Sequence, residues 1–197
     1  EYDLHTAMRP AEILNQLVSG RVIQYSITIQ EGLTARQVCR VLGATGIVKE
    51  ADVTRLVADP AFTKSLGIGA QSLEGYLYPD TYYFPKRAKA EDVVRAMVSR
   101  LRQVYTPELQ AQSAALQLTE VQVLTLASII EKETGQDAER PLISAVFHNR
   151  LRKGLPLQSD PTVIYGIPNF NGNLTRADLA RPTPFNTYTN TKLPPGP

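Results

Sequence analysis

Apolar residues recur along this chain in two rhythms. The commoner one is helical. Val94, Met97, Leu101 and Val104 step by three and four residues, which predicts an amphipathic helix over Glu91–Tyr105. Thr106-Pro107-Glu108 opens a further helix, with proline at its first position. Thr119 and Gln122 form a capping box, and Leu118 and Val123 sit where a hydrophobic staple would, so a helix is predicted from Thr119 to Gly135. Pro141–Lys153 repeats the pattern and stops at Gly154. Nearer the start, a helix over Pro10–Val18 is followed by Gly20. Another runs from the Thr34/Gln37 capping box to about Leu42, with Gly43 and Gly46 behind it. A third, Glu50–Ala58, halts before Asp59-Pro60.

The other rhythm is extended. Ile27-Thr28-Ile29 followed by Glu31-Gly32 reads as a strand and a turn. Leu73–Phe84, LEGYLYPDTYYF, is aromatic and predicted to be extended, and the glycine-rich, uncharged Leu66–Ser72 marks a boundary before it. Beyond Gly154 the chain is turn-rich and polar, through LQSDPTVIYG, NFNGN and RPTPFNTYTNTKLPPGP. The fold class predicted is α+β, with a small α/β module over residues 1–68 and a mixed helical domain over 69–197.

Composition narrows the function only a little. The 197 residues are 43% hydrophobic and 20% charged, with a net charge of +2 and no Lys/Arg run, so nothing points to nucleic acid. The single cysteine, Cys39, lies among Val38, Val41 and Leu42 and reads as a small buried hydrophobe. No Cys/His cluster has metal-ligand spacing and no glycine-rich phosphate loop occurs, so neither metal nor cofactor is expected. No apolar run reaches the length of a membrane span. The chain starts at Glu1 without an initiator methionine and ends in LPPGP; it reads as an excised piece of a longer protein, which is compatible with a lost N-terminal anchor or signal.

One helix end carries candidate chemistry. LASIIEKETG (126–135) closes an apolar helix with two carboxylates, where the helix's own field disfavours negative charge by about 0.3–1 kcal/mol. At about 100° per residue, Val123, Ala127, Ile130 and Thr134 share the predicted inner face. Glu131 lies on the edge of that face, Lys132 points outward, and Glu133 falls on the far flank beside Leu126. The helix field and partial burial both push Glu131 toward the protonated form, the form of a general acid. A solvated Glu-Lys-Glu helix end with no chemistry is the commoner occurrence. Tyrosines between 76 and 83 offer flat apolar faces with polar tips, which suit sugar rings, although alternate tyrosines also pack cores. QSDPT (158–162) and NTYTNT (186–191) place amides and hydroxyls at turns.

In order and spacing, EGYLYPDTYYF, LASIIEKET, ER followed by VFHNRL, LQSDPTVIYG and NTYTNTKLPPG resemble the endolytic murein transglycosylases of the YceG-like family, over about residues 70–197. ITIQEGLTARQVCRVL resembles, more loosely, the LysM-like module of that family. The resemblance implies a LysM-like module over 1–68, incomplete on its N-terminal side, and a catalytic domain with a glycan-binding groove over 69–197, truncated at its C-terminus. It implies Glu131 as the catalytic acid. Substrate-binding candidates are Glu74, Tyr76, Tyr78, Asp80 and Tyr82, together with Gln158, Asp160, Asn186, Thr187 and Tyr188. The implied substrate is a peptidoglycan strand, cut at the MurNAc–GlcNAc β-1,4 bond to leave a 1,6-anhydroMurNAc end, with no cofactor. The implied setting is the bacterial inner membrane, with one membrane span, the catalytic part in the periplasm and wall-synthesis proteins as partners. Two rival readings stand beside it. One is a hydrolase using Asp160, Asp80 or Glu133 as a second carboxylate; the other is a wall-binding or scaffolding module without chemistry.

Overall fold

Side-chain caps decide where several helices begin. Thr34 Oγ1 accepts the Gln37 N–H, while Gln37 Oε1 accepts the Thr34 N–H at 2.8 Å, which starts α2 (Ala35–Ala44). Thr119 and Gln122 do the same for α7 (Glu120–Glu133), with the return bond at 2.9 Å. The computed structural model describes residues 1–20 and 22–197. Its remaining elements are α1 (Pro10–Val18), β1 (Gln24–Thr28), α3 (Glu50–Val57), α4 (Pro60–Ser65), β2 (Thr81–Pro85), α5 (Ala90–Val104), α6 (Pro107–Ala115), α8 (Arg140–Arg152), α9 (Asp160–Tyr165) and α10 (Arg176–Ala180). The short helices α4, α9 and α10 escaped the periodicity argument, because one or two turns hold too few residues to show a repeat. The mixture of helices with a two-stranded sheet is α+β, as expected. Among the described residues no single helix is long and apolar enough to cross a membrane.

Two compact units divide at Gln103/Val104, later in the chain than the 68/69 module boundary expected from composition. The reason is strand pairing. β1 and β2 are antiparallel, with Ile27 opposite Tyr82 and Tyr25 opposite Phe84. The segment before β2 is bonded to the helices behind it: Leu73 N–H donates to Val57 O at 2.9 Å, and Ile29 N–H donates to Asp80 O at 3.0 Å. Leu66, Ile68 and Leu73 are all buried, so the glycine-rich stretch lies within the first unit. Only Thr81–Pro85 of the expected extended stretch is strand. Gly75, in the left-handed region at φ +78°, turns the chain before it. At the other end of the pairing, Ile29 lies just past β1.

The core of the first unit draws on Ile27, Val38, Leu42, Val53, Leu73, Phe84, Val93 and Met97. Cys39 is buried there too, and burial pushes its thiol up from its ordinary pKa. In the second unit, Leu126 and Ile129 of α7, Phe147 of α8 and Leu157 form the core, with Ile130, Ile143, Leu151 and Leu193 packed against it.

Gly43 gives a test of the first unit. Alanine within a helix is ordinarily better than glycine by about 1 kcal/mol. Here a Cβ at position 43 meets Glu50 Cβ at 2.6 Å, where α2 passes the start of α3. Overpacking of this kind costs about 1–3 kcal/mol. Gly43→Ala is therefore expected to lower the thermal midpoint, and calorimetry or a circular-dichroism melt reads the sign.

Candidate active site

The end of α7 sets the geometry. Thr125, Leu126 and Ile129 are its buried residues, while Ala127 is exposed, so the inner face is rotated away from the Val123–Ala127 line expected on the wheel. Glu133 continues the Leu126–Ile129 direction at the next four-residue step. Its Oε1 accepts the Ser159 hydroxyl, which makes it more than a flank residue. The stop is also not a glycine device. Thr134 leaves the helix in extended conformation at φ −146°; its hydroxyl donates to Glu139 Oε2 at 2.7 Å and accepts the Gln136 N–H at 3.0 Å. The chain folds back on this bond and α8 begins at Arg140, with Pro141 in its first turn.

This turn brings Arg140 to Glu131. Nη2 lies 3.0 Å from Glu131 Oε2, with the Glu131 side chain 30% exposed. Nη1 lies 3.2 Å from Asp137 Oδ1. The nearby carboxylates are committed elsewhere: Glu133 to Ser159, Glu139 to Thr134, and Asp160 to the Tyr188 hydroxyl at 2.5 Å. Among the described residues, no hydrogen bond reaches either oxygen of Glu131.

Beside it the 158–162 loop meets the 186–188 turn. Gln158 is held at φ +56°, a conformation that non-glycine residues rarely adopt. Its N–H donates to Thr187 O at 3.0 Å, and its side-chain oxygen accepts from Arg150. Ser159 N–H donates to Thr187 Oγ1 at 3.0 Å, and the Thr162 and Thr187 hydroxyls meet at 2.8 Å. Asn186 donates to Arg181 O at 2.7 Å and to Leu179 O at 3.0 Å, and accepts the Tyr188 N–H at 2.8 Å. Asn186 and Thr187 are 0% and 1% exposed; both side chains build the loop frame and neither faces solvent. Gln158 and Asp160 are exposed and Tyr188 is half-buried, so these three can face a ligand. The bond to Asp160 is the main cause that pushes the Tyr188 phenol up to about 12, with burial and the charges of Asp160 and Glu133 adding to it. Tyr188 is thus a donor across the physiological range.

The remaining candidates belong to the first unit. Glu74 Oε1 accepts the Ala35 N–H at 2.7 Å and so sits at the positive end of α2. Tyr76 is 1% exposed, which takes its ring out of reach of any stacking partner from solution. The Arg100 guanidinium lies 5.9 Å from the Tyr78 ring centroid and its Nε lies 2.6 Å from Asp80 Oδ2. Backbone and guanidinium donors, the Thr81 N–H first and Arg100 second, hold the Asp80 carboxyl below its usual range. Tyr82 O–H donates to Tyr78 O at 2.6 Å and its ring stacks on Phe84. Tyr83, 61% exposed, is the open ring of this strip, and the sequence argument did not single it out. Period-two alternation along β2 could have found it, since Tyr82 and Phe84 share one face. Ser159 and Arg140 were missed as well. Arg140 sat in the quoted ER pair, but the turn that folds it onto Glu131 leaves no mark in the spacing.

The description YceG-like family matches residues 1–197. The chain belongs to the YceG-like family. Over its whole length it is 32% identical to the endolytic murein transglycosylase of Bacillus subtilis strain 168 and 30% identical to that of Streptococcus pneumoniae serotype 2 strain D39. The chain spans 59% and 41% of those relatives' own lengths. A solved yceG-like protein from Listeria monocytogenes superposes with a TM-score of 0.78 at 34% identity, covering 100% of this chain and 70% of the other.

Two substitutions test the local framework. Thr187→Val keeps the shape but strands the buried Ser159 N–H, while the Thr162 hydroxyl keeps its bond to Ser159 O, so a loss of about 1–3 kcal/mol is expected in denaturant unfolding. Asp160→Asn removes the charged acceptor of Tyr188, and spectrophotometric titration should show one tyrosine ionising at lower pH than in the parent protein.

Proposed function

We propose that the chain is the core of an endolytic peptidoglycan lytic transglycosylase. It cuts the MurNAc–GlcNAc β-1,4 bond within nascent strands, leaves a 1,6-anhydroMurNAc end and so terminates elongation. The family membership and the names of the relatives support the substrate and the reaction class. The observation that carries the reading onto a residue is Glu131: a partly exposed side chain whose Oε2 is paired with Arg140 at 3.0 Å while Oε1 is left open to a substrate.

In the reaction, Glu131 gives its proton to the glycosidic oxygen, and the bond from that oxygen to C1 of MurNAc breaks. The carboxylate then takes the proton of the C6 hydroxyl as its oxygen bonds to C1. One carboxyl serves as acid and then as base, and no water is consumed. The tethered nucleophile removes much of the entropic barrier. A hydrolase would need a second free carboxylate near the first. Glu133 and Asp160 are bonded to the Ser159 and Tyr188 hydroxyls, and Asp80 to Arg100 and Thr81, which favours the single-carboxylate route. Gln158, Asp160 and Tyr188 hold the sugar in a glycan groove beside Glu131. Residues 1–68 act as a LysM-like module. The setting is the inner membrane, through an anchor outside this chain, with the catalytic part in the periplasm and wall-synthesis proteins as partners.

Mass spectrometry of glycan strands digested by the full-length protein tests this. The parent should yield 1,6-anhydroMurNAc ends, and Glu131→Gln should be slower by about 10²-fold or more, as for loss of a general acid–base. A hydrated, reducing MurNAc end would identify a hydrolase instead. Unaltered cleavage by Glu131→Gln would remove Glu131 from the chemistry.

A further inference from the structure

We propose that Arg140 is a positioning residue for Glu131: it grips the carboxylate at Oε2 and leaves Oε1 as the atom that exchanges the proton with the sugar. The inference rests on the reading of Glu131 as the acid and base. The Nη2 contact to Oε2, at 3.0 Å, joins side chains that are each about a third exposed, so the pair is neither sealed in nor fully solvated. The same guanidinium is held from the solvent side through Nη1 by Asp137, whose side chain is 90% exposed. Its backbone is fixed as well, because Arg140 is the first residue of α8 and the Thr134–Glu139 bond closes the turn before it.

Orientation of Glu131 therefore rests on the guanidinium, since no hydrogen bond among the described residues fixes either oxygen. Of the carboxylates around this helix end, Glu133 and Glu139 accept the Ser159 and Thr134 hydroxyls, and Asp160 of α9 accepts Tyr188. Arg150 of α8 reaches Gln158 and Pro156 O, and Glu108 of α6 bonds its own cap residue Thr106. A planar fork suits this task better than a point charge, because one guanidinium spans two carboxylates at once. A cation at Oε2 also stabilises the carboxylate left after the first proton transfer, while Oε1 stays free to receive the second proton.

The test is steady-state kinetics of the full-length protein on glycan strands, with folding checked by circular dichroism. Arg140→Gln is expected to lower kcat by on the order of tenfold or more, the size of effect a misplaced catalytic group produces. KM should stay within about twofold, because substrate binding itself is untouched. Arg140→Lys, which keeps the charge but cannot span Glu131 and Asp137, should give a kcat between the two. A merely structural arginine would change the melting temperature and the folded fraction without this split and without partial rescue by lysine. A parental kcat in Arg140→Gln, or a raised KM with kcat unchanged, overturns the proposal. If Arg140→Gln does not fold, Arg140→Lys decides, and a parental kcat there overturns it. Glu131→Gln run alongside separates the two levels. If it is inactive while the Arg140 variants are normal, only this inference fails; if it is active, the reading of Glu131 fails with it.

Discussion

The Thr134 hydroxyl, which donates to Glu139 Oε2 and accepts the Gln136 N–H, ties the turn between α7 and α8, and the candidate site depends on that turn. Threonine in extended conformation ends the helix abruptly, so the last α7 carboxylates stand at a corner and do not trail into a solvated loop. The corner starts α8 with an arginine, and the arginine falls on Glu131. Two carboxylates two positions apart then meet opposite fates. Glu133, though exposed, is bonded to the buried Ser159; Glu131 is paired with Arg140 through Oε2 and keeps Oε1 open. Helix geometry alone, which separates neighbours by about 100°, is enough to give them different partners.

Behind Glu133 lies a seam of small hydroxyls. Ser159, Thr162 and Thr187 are buried and bonded to one another and to backbone, so they hold the 158–162 loop against the 186–188 turn. The left-handed Gln158 is tolerated because its N–H and its side-chain oxygen are both engaged, by Thr187 O and by Arg150. A backbone in so sparse a region persists only where its surroundings over-determine it. The seam thus does for the loop what a hydrophobic core does for a helix. It leaves Gln158, Asp160 and Tyr188 on the outside, with Tyr188 kept protonated by the carboxylate it faces.

In the first unit the aromatic strip divides by burial. Tyr76 is a core residue, Tyr82 stacks on Phe84 and bonds to Tyr78 O, and Tyr78 lies under Arg100. Tyr83 alternates to the open face of β2. Glu74 is drawn off to the start of α2, where the Ala35 N–H and the helix field both favour its charge. The polar and aromatic residues of this strip therefore serve the fold first.

Sequence by itself determined the helices with a full apolar repeat and a cap. α1, α2, α3, α5, α7 and α8 begin and end within a residue or two of where periodicity and capping boxes put them. Those features are local, and a residue's neighbours at three and four steps carry them. Sequence motifs also pointed to the family and to the helix end that bears Glu131. Tertiary structure decided the rest. It set the rotation of α7, because burial of Leu126 and Ile129 depends on Phe147 and Leu157, which are distant in the chain. It set which tyrosines are covered, because strand pairing of 24–28 with 81–85 makes one face of the ribbon an inside. It also chose the partner of each carboxylate, since Arg140, Ser159 and Tyr188 reach their sites through turns whose hydrogen bonds no spacing rule encodes.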